Sequence, residues 1–333
     1  MIVVDSLDAL PGPEGAATGA GVVLTLGCFD GFHVGHRRIV ERLRAVADAH
    51  GARCGLLTFD PHPAQVIQGV AGPFLIDTRR EKEELLRSQP LDFAVFFNFT
   101  REFASVPAEK FVRENLTEAG LAGRFRLRKM VVGPDTRFGH RGGGTVELLK
   151  VEGARLGFEV EVVEKVEVGG EPVSSTRIRE LLEEGDVGKA GAFLGRPFRV
   201  SGKVVPGECR SRSDGFPPTV NLEVEGGKLL PRDGVYAVRV SHGRGDCRAP
   251  TSAVRPSRAG DCGVANVGVR PTVGGKTRTV EAHIFGFSGD LYGARVRIDF
   301  ERYIREEKKF STLEELKRQI QRDIEVAEKI FSV

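Results

Sequence analysis

The stretch from Val22 to Ala49 constrains this chain most, because it runs from an apolar strand through a glycine-rich turn directly into an amphipathic helix. Val22-Val23-Leu24-Thr25-Leu26 is apolar enough to be buried on both faces, as a strand of a parallel sheet is. Gly27-Cys28-Phe29-Asp30-Gly31-Phe32-His33-Val34-Gly35-His36 follows, and Arg37 to Ala49 then sets Ile39, Val40, Leu43, Val46 and Ala47 at helical spacing until Gly51 ends the run. That order puts His33 and His36, three residues apart, on one side of a helix's first turn. The unpaired N–H groups and positive dipole end of such a turn attract anions. Glycines at positions 27, 31 and 35 let the backbone approach a phosphate, and two imidazoles can donate to it as charge builds there. Histidines that merely cap the helix are the plainer alternative.

The same grammar continues to about Gly185. Strands are expected at Gly55–Phe59, Phe93–Phe97, Lys129–Val132 and Phe158–Val163, with helices at Arg80–Ser88, Ala108–Ala119 and Thr145–Leu156. From Phe198 to Phe300 the pattern changes to short Val-rich runs: Arg199–Val205, Thr219–Val224, Val235–Val240, Val264–Val267, Val280–Phe285 and Arg295–Phe300. Roughly six strands in about a hundred residues predict a small antiparallel barrel. The tail carries Leu313, Leu316, Ile320, Ile324, Ala327 and Phe331 on one helical stripe, with Ser311 or Thr312 as cap, and should pack on that barrel. The fold class is therefore an α/β domain followed by a β-barrel with a C-terminal helix. We place the domains at 1–190 and 191–333, joined near Gly188–Gly195. His242–Gly260, dominated by Gly, Arg, Pro, Ser and Ala, reads as a solvated loop.

Length and charge narrow the function classes. A chain of 333 residues with 40% hydrophobic content can build two ordinary cores. Its 49 basic residues nearly cancel 46 acidic ones, so the net charge of +3 gives no broad footprint for nucleic acid or a membrane surface. Five cysteines with no CxxC pair fit a reducing compartment, and no stretch approaches the apolar length of a membrane span. The expectation is a cytoplasmic protein acting on small molecules; a homo-oligomer is left open.

At this point the sequence resembles the HxGH nucleotidyltransferases and, among them, the prokaryotic bifunctional riboflavin kinase/FAD synthetase family. The resemblance rests on Gly27–His36, on Thr58-Phe59-Asp60-Pro61-His62-Pro63, on Val132–Gly139 and on Ser174–Arg179. It implies a Rossmann-like FMN adenylyltransferase domain in which the phosphate of FMN attacks the α-phosphorus of ATP and pyrophosphate leaves. His33 and His36 would be catalytic, and Gly27, Phe29, Asp30, Gly31, Gly35 and Asp135 would lie in the ATP site with Ser175, Thr176 and Arg177. From the residues alone, Ser175 or Thr176 reads as an N-cap for a helix Arg177–Glu184, which is itself an anion site.

The second half resembles riboflavin kinase through Leu194–Phe198, Pro218–Asn221, Gly234–Ala237, Asn266–Thr272, Val280–His283 and Leu291–Gly293. The resemblance implies phosphorylation of riboflavin by ATP, Mg²⁺ held by Thr219 and Asn221, Glu281 as general base, and Asn266 and Arg270 at the flavin kinase site. Hydroxyl and amide oxygens are hard ligands suited to Mg²⁺. ATP, riboflavin, FMN and FAD are the implied substrates or products. This half departs from the family at Glu208–Asn221: aligned without a gap, Arg212-Ser213 and Phe216-Pro217-Pro218 stand where the family has Gly-Arg and Gly-Phe-Pro, and a shift by one restores Gly215-Phe216-Pro217 but requires an inserted proline before Thr219. A second reading therefore stays open, an FMN adenylyltransferase alone whose barrel binds flavin or is structural.

Overall fold

The computed structural model describes the chain apart from residues 12–19, 71, 117–124, 207–218, 243–260, 273–274, 288 and 332–333, and apart from the side chains at 20, 270–272 and 275–277. It divides into two compact units, Met1–Ser175 and Thr176–Val333.

In the first unit, strands β1 (Ile2–Val4), β2 (Ala20–Leu26), β3 (Arg53–Asp60), β4 (Phe93–Asn98), β5 (Phe125–Val132) and β6 (Glu159–Val162) form one sheet in the order β1-β4-β3-β2-β5-β6. Every pairing is parallel. The expected strands are all present, and β1 joins them, a three-residue strand that the periodicity did not reveal. Because β2 alternates, Val22, Leu24 and Leu26 enter one core while Val23 enters the other.

Helix α1 (Val34–Ala49) buries Val40, Leu43, Val46 and Ala47 on the Val23 side, where Leu86 of α3 (Arg79–Arg87) joins them. The opposite face is covered by Phe111 and Val112 of α5 (Ala108–Asn115) and by Val146 and Leu149 of α6 (Val146–Leu156). Two single-turn helices, α2 (Pro63–Ile67) and α4 (Arg101–Ala104), lie in the connections. Gly51, at φ 55°, sits just past the cap of α1, the left-handed position that stops a helix at little cost. A small ribbon, β7 (Glu167–Val168) with β8 (Glu171–Pro172), precedes α7 (Ser175–Glu184). That helix opens two residues before the expected Arg177, so Ser175 and Thr176 form its first turn instead of preceding it.

The chain goes from β2 outward to β3 and β4, then returns across the sheet to β5. In an open α/β sheet, such a reversal leaves a crevice at the carboxyl ends of the two strands where the direction switches. Here those ends are Leu26, which leads into Gly27–His36, and Val132, which leads into Gly133–Asp135.

In the second unit, α8 (Val187–Leu194) occupies the stretch expected to join the domains. It packs against β9 (Phe198–Val205) and β14 (Arg295–Arg305). With β10 (Val220–Val224), β11 (Gly234–His242), β12 (Asp261–Thr272) and β13 (Gly275–Ile284), these strands close an antiparallel barrel in the order β10-β13-β12-β11-β14-β9. All six expected strands are found, and β11 to β14 run longer than the hydrophobic pattern indicated. Phe198, Val238, Ile284 and Phe300 fill the interior, and Tyr236 stacks edge-on to Phe300 at 5.2 Å.

Helix α9 (Leu313–Phe331) lays Ile324, Ala327, Ile330 and Phe331 on the outer residues Val235, Ala237 and Val264. Thr312 Oγ1 accepts the Glu315 N–H at 3.2 Å, the expected cap. Leu313, expected on the packing stripe, is 53% exposed because it precedes the part of the helix that reaches the barrel. The Glu208–Asn221 departure falls mainly on residues 207–218, and the His242–Gly260 insert on 243–260, outside the described residues.

Candidate active sites

The first candidate site is built on the turn between β2 and α1. Gly31 takes φ 83°, and Phe29 and Phe32 take φ 47° and 32°, left-handed values that cost a non-glycine residue of order 1 kcal/mol or more. Both phenyl rings are buried in the core beside Val40 and Leu43, and this burial holds the backbone in the strained path. The turn is tied down from three sides. Gly27 N–H donates to Leu57 O at 3.1 Å, Thr58 Oγ1 donates to Cys28 O at 3.0 Å, and Lys82 Nζ donates to the same carbonyl at 2.8 Å. Asp30, 1% exposed, accepts the N–H groups of Ile76 and Asp77, each at 3.2 Å, and its own carbonyl accepts Ser175 Oγ at 2.8 Å. The Asp30 carboxylate therefore braces the loop leading into α3.

His33 caps α1: its Nδ1 accepts the His36 N–H at 3.3 Å. The two imidazoles stack with centroids 3.6 Å apart, and Phe29 meets His36 edge-on at 4.9 Å. Gly35 permits that stack, since a Cβ there would lie 3.1 Å from His33 Nδ1. Burial pushes the His33 pKa down to about 4, with Asp30 opposing. Burial first, then His33 and Lys82, hold His36 well below the usual imidazole range. Both rings are neutral at pH 7. A neutral His33 whose Nδ1 accepts carries its proton on Nε2, so Nε2–H is the donor it can offer a ligand. His36 Nδ1 is buried and has no hydrogen-bond partner among the described residues. Capping and ligand binding are thus compatible, because His33 caps with one nitrogen and keeps the other.

Of the other residues expected here, Gly27, Phe29, Asp30, Gly31, Gly35 and Ser175 converge on this turn. Gly133 at the end of β5 packs over α1, where an added Cβ would sit 3.5 Å from Ile39. Asp135, two residues further, is exposed and pairs with Lys165 at 2.6 Å. Thr176 is exposed, and Arg177 pairs with Glu180 and Glu184 of its own helix, each at 3.1 Å. The sequence conceals Lys82, which sits in the charged run Arg79–Glu84 that reads as a solvated face, yet it is only 4% exposed.

The second candidate site is a matter of register. Glu281 on β13 faces Asn221 on β10 on one side and Asn266 on β12 on the other. Directly opposed residues of antiparallel strands share a face, with Cβ atoms about 4.5–5.5 Å apart. Their strand neighbours Leu222, Val280, Ala282, Ala265 and Val267 are buried inside the barrel, so the three polar residues form a row on its outer surface. Thr219, two residues before Asn221, precedes β10. Asn221 Oδ1 is buried without a hydrogen-bond partner among the described residues, and Asn266 Nδ2 donates to Glu307 at 3.1 Å. Arg270 belongs to β12, but its side chain lies outside the described residues. No cluster of three His, Cys, Asp or Glu suited to a metal occurs among the described residues. An unpartnered amide oxygen beside a carboxylate is nonetheless a donor set that fits a hard cation such as Mg²⁺.

Two family profiles divide the chain between them, FAD synthetase over residues 16–177 and riboflavin kinase over residues 194–331. The bifunctional riboflavin kinase/FMN adenylyltransferase of Escherichia coli (strain K12) is 34% identical over 313 residues, covering 94% of each chain. The protein of the same name from Haemophilus influenzae is 33% identical, covering 94% of this chain and 95% of its own. The crystal structure of a Streptococcus pneumoniae protein called a macrolide-efflux protein matches over 98% of both chains, with a TM-score of 0.79 and 28% identity. Efflux is said there of that protein; among the described residues of this chain no helix is long and apolar enough to cross a membrane. The fold and the histidine turn define a nucleotidyltransferase-type α/β domain, followed by a riboflavin-kinase-type barrel. The chain belongs to the bifunctional riboflavin kinase/FMN adenylyltransferase family.

Proposed function

We propose that this chain makes FMN from riboflavin and FAD from FMN, each at the expense of ATP. The observation that carries the reading is the presence of both family domains, each with its own polar constellation: the stacked His33–His36 pair and the Asn221–Glu281–Asn266 row. It favours this reading over an adenylyltransferase with a barrel reduced to structure. We assign adenylyl transfer to residues 1–190 and phosphoryl transfer to 191–333.

In the first reaction site, an oxygen of the FMN phosphate attacks the α-phosphorus of ATP while the bond to the β-phosphate oxygen breaks. His33 Nε2–H and the His36 ring, both uncharged, donate to phosphate oxygens, and the N-terminus of α1 adds its N–H groups. For Thr176 and Arg177 the support is the family motif and their place directly after Ser175 in the chain. Asp135 is assigned to the nucleotide loop on its position after β5 at the switch point.

In the second, the ribityl hydroxyl of riboflavin gives its proton to Glu281 as its oxygen attacks the γ-phosphorus and ADP leaves. Asn266 and Arg270 are assigned to orienting the flavin side of that transfer. Mg²⁺, held through Thr219 Oγ1, Asn221 Oδ1 and ATP oxygens, would neutralise phosphate charge as the transfer proceeds. We assign the protein to the cytoplasm, with small-molecule ligands and no nucleic-acid or membrane partner, from its balanced charge and cysteine usage.

Two incubations test the assignment: purified protein with riboflavin, ATP and Mg²⁺, and with FMN, ATP and Mg²⁺. FMN and FAD should form in the first and FAD in the second. FAD from FMN with nothing from riboflavin would leave only the adenylyltransferase; no product in either would overturn both.

A further inference from the structure

The α3 helix places a buried cation in the histidine turn that neither the glycine-rich motif nor the helix dipole explains. The Asp30 carboxylate holds the N–H groups of Ile76 and Asp77, Thr78 caps the helix, and Glu81 closes a capping box, so the first turn of α3 is rigidly set. Lys82 follows one residue after Glu81. It is 4% exposed and reaches back to Cys28 O at 2.8 Å, inside the turn that carries His33 and His36. That is the single hydrogen bond of its ammonium among the described residues, and no carboxylate there pairs with it.

A buried ammonium without a counterion is costly, and a primary ammonium has three N–H donors of which one is spent here. A helix lysine usually extends its charged end to water. This one instead lies close enough to His36 to bear on its charge state. Beside it are a helix N-terminus and an imidazole nitrogen that is buried and unpartnered. All of these groups favour the same kind of ligand, an anion with several oxygens.

We propose that Lys82 is a further catalytic residue of adenylyl transfer, contacting the ATP phosphates through its two remaining N–H donors and staying with the pyrophosphate as it leaves. The inference rests on the adenylyltransferase reading. Lys82 neither gives nor takes a proton. The new bond is FMN oxygen to α-phosphorus, the broken one is α-phosphorus to bridging oxygen, and the ammonium offsets the negative charge that collects on the leaving group. The same positive charge disfavours protonation of His36, which keeps that ring a neutral donor instead of a second cation.

The test compares Lys82→Gln with Lys82→Arg in the full chain. Glutamine keeps an N–H that can hold the Cys28 carbonyl but removes the charge, so it separates an anchoring role from a phosphate-binding one. Titration with inorganic pyrophosphate in the presence of Mg²⁺ should show affinity about tenfold weaker in Lys82→Gln. Its kcat for FAD formation from FMN should be about 10²-fold lower, with FMN formation from riboflavin within twofold of the parent. Lys82→Arg should recover most of the pyrophosphate affinity. Parent-like pyrophosphate affinity and turnover in Lys82→Gln would overturn the proposal and leave Lys82 as an anchor of the turn. If the parent protein makes no FAD, the adenylyltransferase reading falls, while the pyrophosphate titration still decides whether Lys82 binds phosphate.

Discussion

In the first unit the histidine pair lies on one continuous segment, Gly27 to His36, whose backbone is bent through left-handed φ values and braced by Thr58, Asp30 and Lys82. In the second unit the candidate groups come from three strands, Asn221, Asn266 and Glu281, and meet because the barrel's register puts them opposite one another. The first site is buried, with both imidazoles held uncharged beside the Lys82 ammonium. The second lies on an outer sheet face beside the surface covered by α9. A site made by one bent segment depends on local packing, whereas a site made by register depends on the barrel as a whole. Each should therefore fail independently of the other.

The sharpest break is expected at Glu281. Glu281→Gln removes the proton acceptor while keeping size and strand pairing, and should lower FMN formation from riboflavin about 10³-fold with FAD formation from FMN within twofold. Comparable loss of both activities would mean that the two sites are not separate. Asn221→Leu comes next. Its Oδ1 has no hydrogen-bond partner to lose among the described residues, so the barrel should remain folded by thermal unfolding. The kinase rate should still fall about 10²-fold, with a raised Mg²⁺ requirement.

The pH dependence distinguishes the units without touching the chemistry. The folded pKa of His33, about 4, lies below the 6.5 of an unperturbed imidazole, so between those values the unfolded chain binds the extra proton. Stability of the first unit from this source is full above pH 6.5 and is lost as pH falls toward 4, to a limit of about 3 kcal/mol. Hydrogen exchange of α1 amides, corrected for intrinsic rates, should show the loss, and His33→Gln should shrink it to the share that His36, also held below its usual range, contributes with the same sign. The smallest effect is expected at Gly35→Ala. Its methyl would press on the His33 ring at 3.1 Å and tilt the imidazole stack, lowering FAD formation about tenfold while leaving the kinase unaffected.

The contrast between the units also explains what could be read from residues alone. The histidine turn was legible because a strand, three glycines and a helix lie within one stretch of chain, and that order alone predicts an anion site. The row in the barrel was not, since alternating Val-rich strands show which residues face inward but not which strands lie side by side; the family resemblance supplied Asn221, Asn266 and Glu281 as a group. β1 was missed because three residues carry no period, and it is defined by pairing with β4. Lys82 was missed because burial of a charge is a tertiary fact that a run of arginines and glutamates conceals. The start of α7 moved to Ser175, whose hydroxyl bonds the Asp30 carbonyl, a contact made across most of the first unit's sequence.

The separation of the two sites is tested most directly by giving His36→Ala riboflavin, ATP and Mg²⁺ and following both flavin products with time. The account predicts that FMN accumulates at close to the parent rate while FAD formation falls about 10²- to 10³-fold. Equal loss of FMN and FAD, or FAD forming at the parent rate, would contradict it.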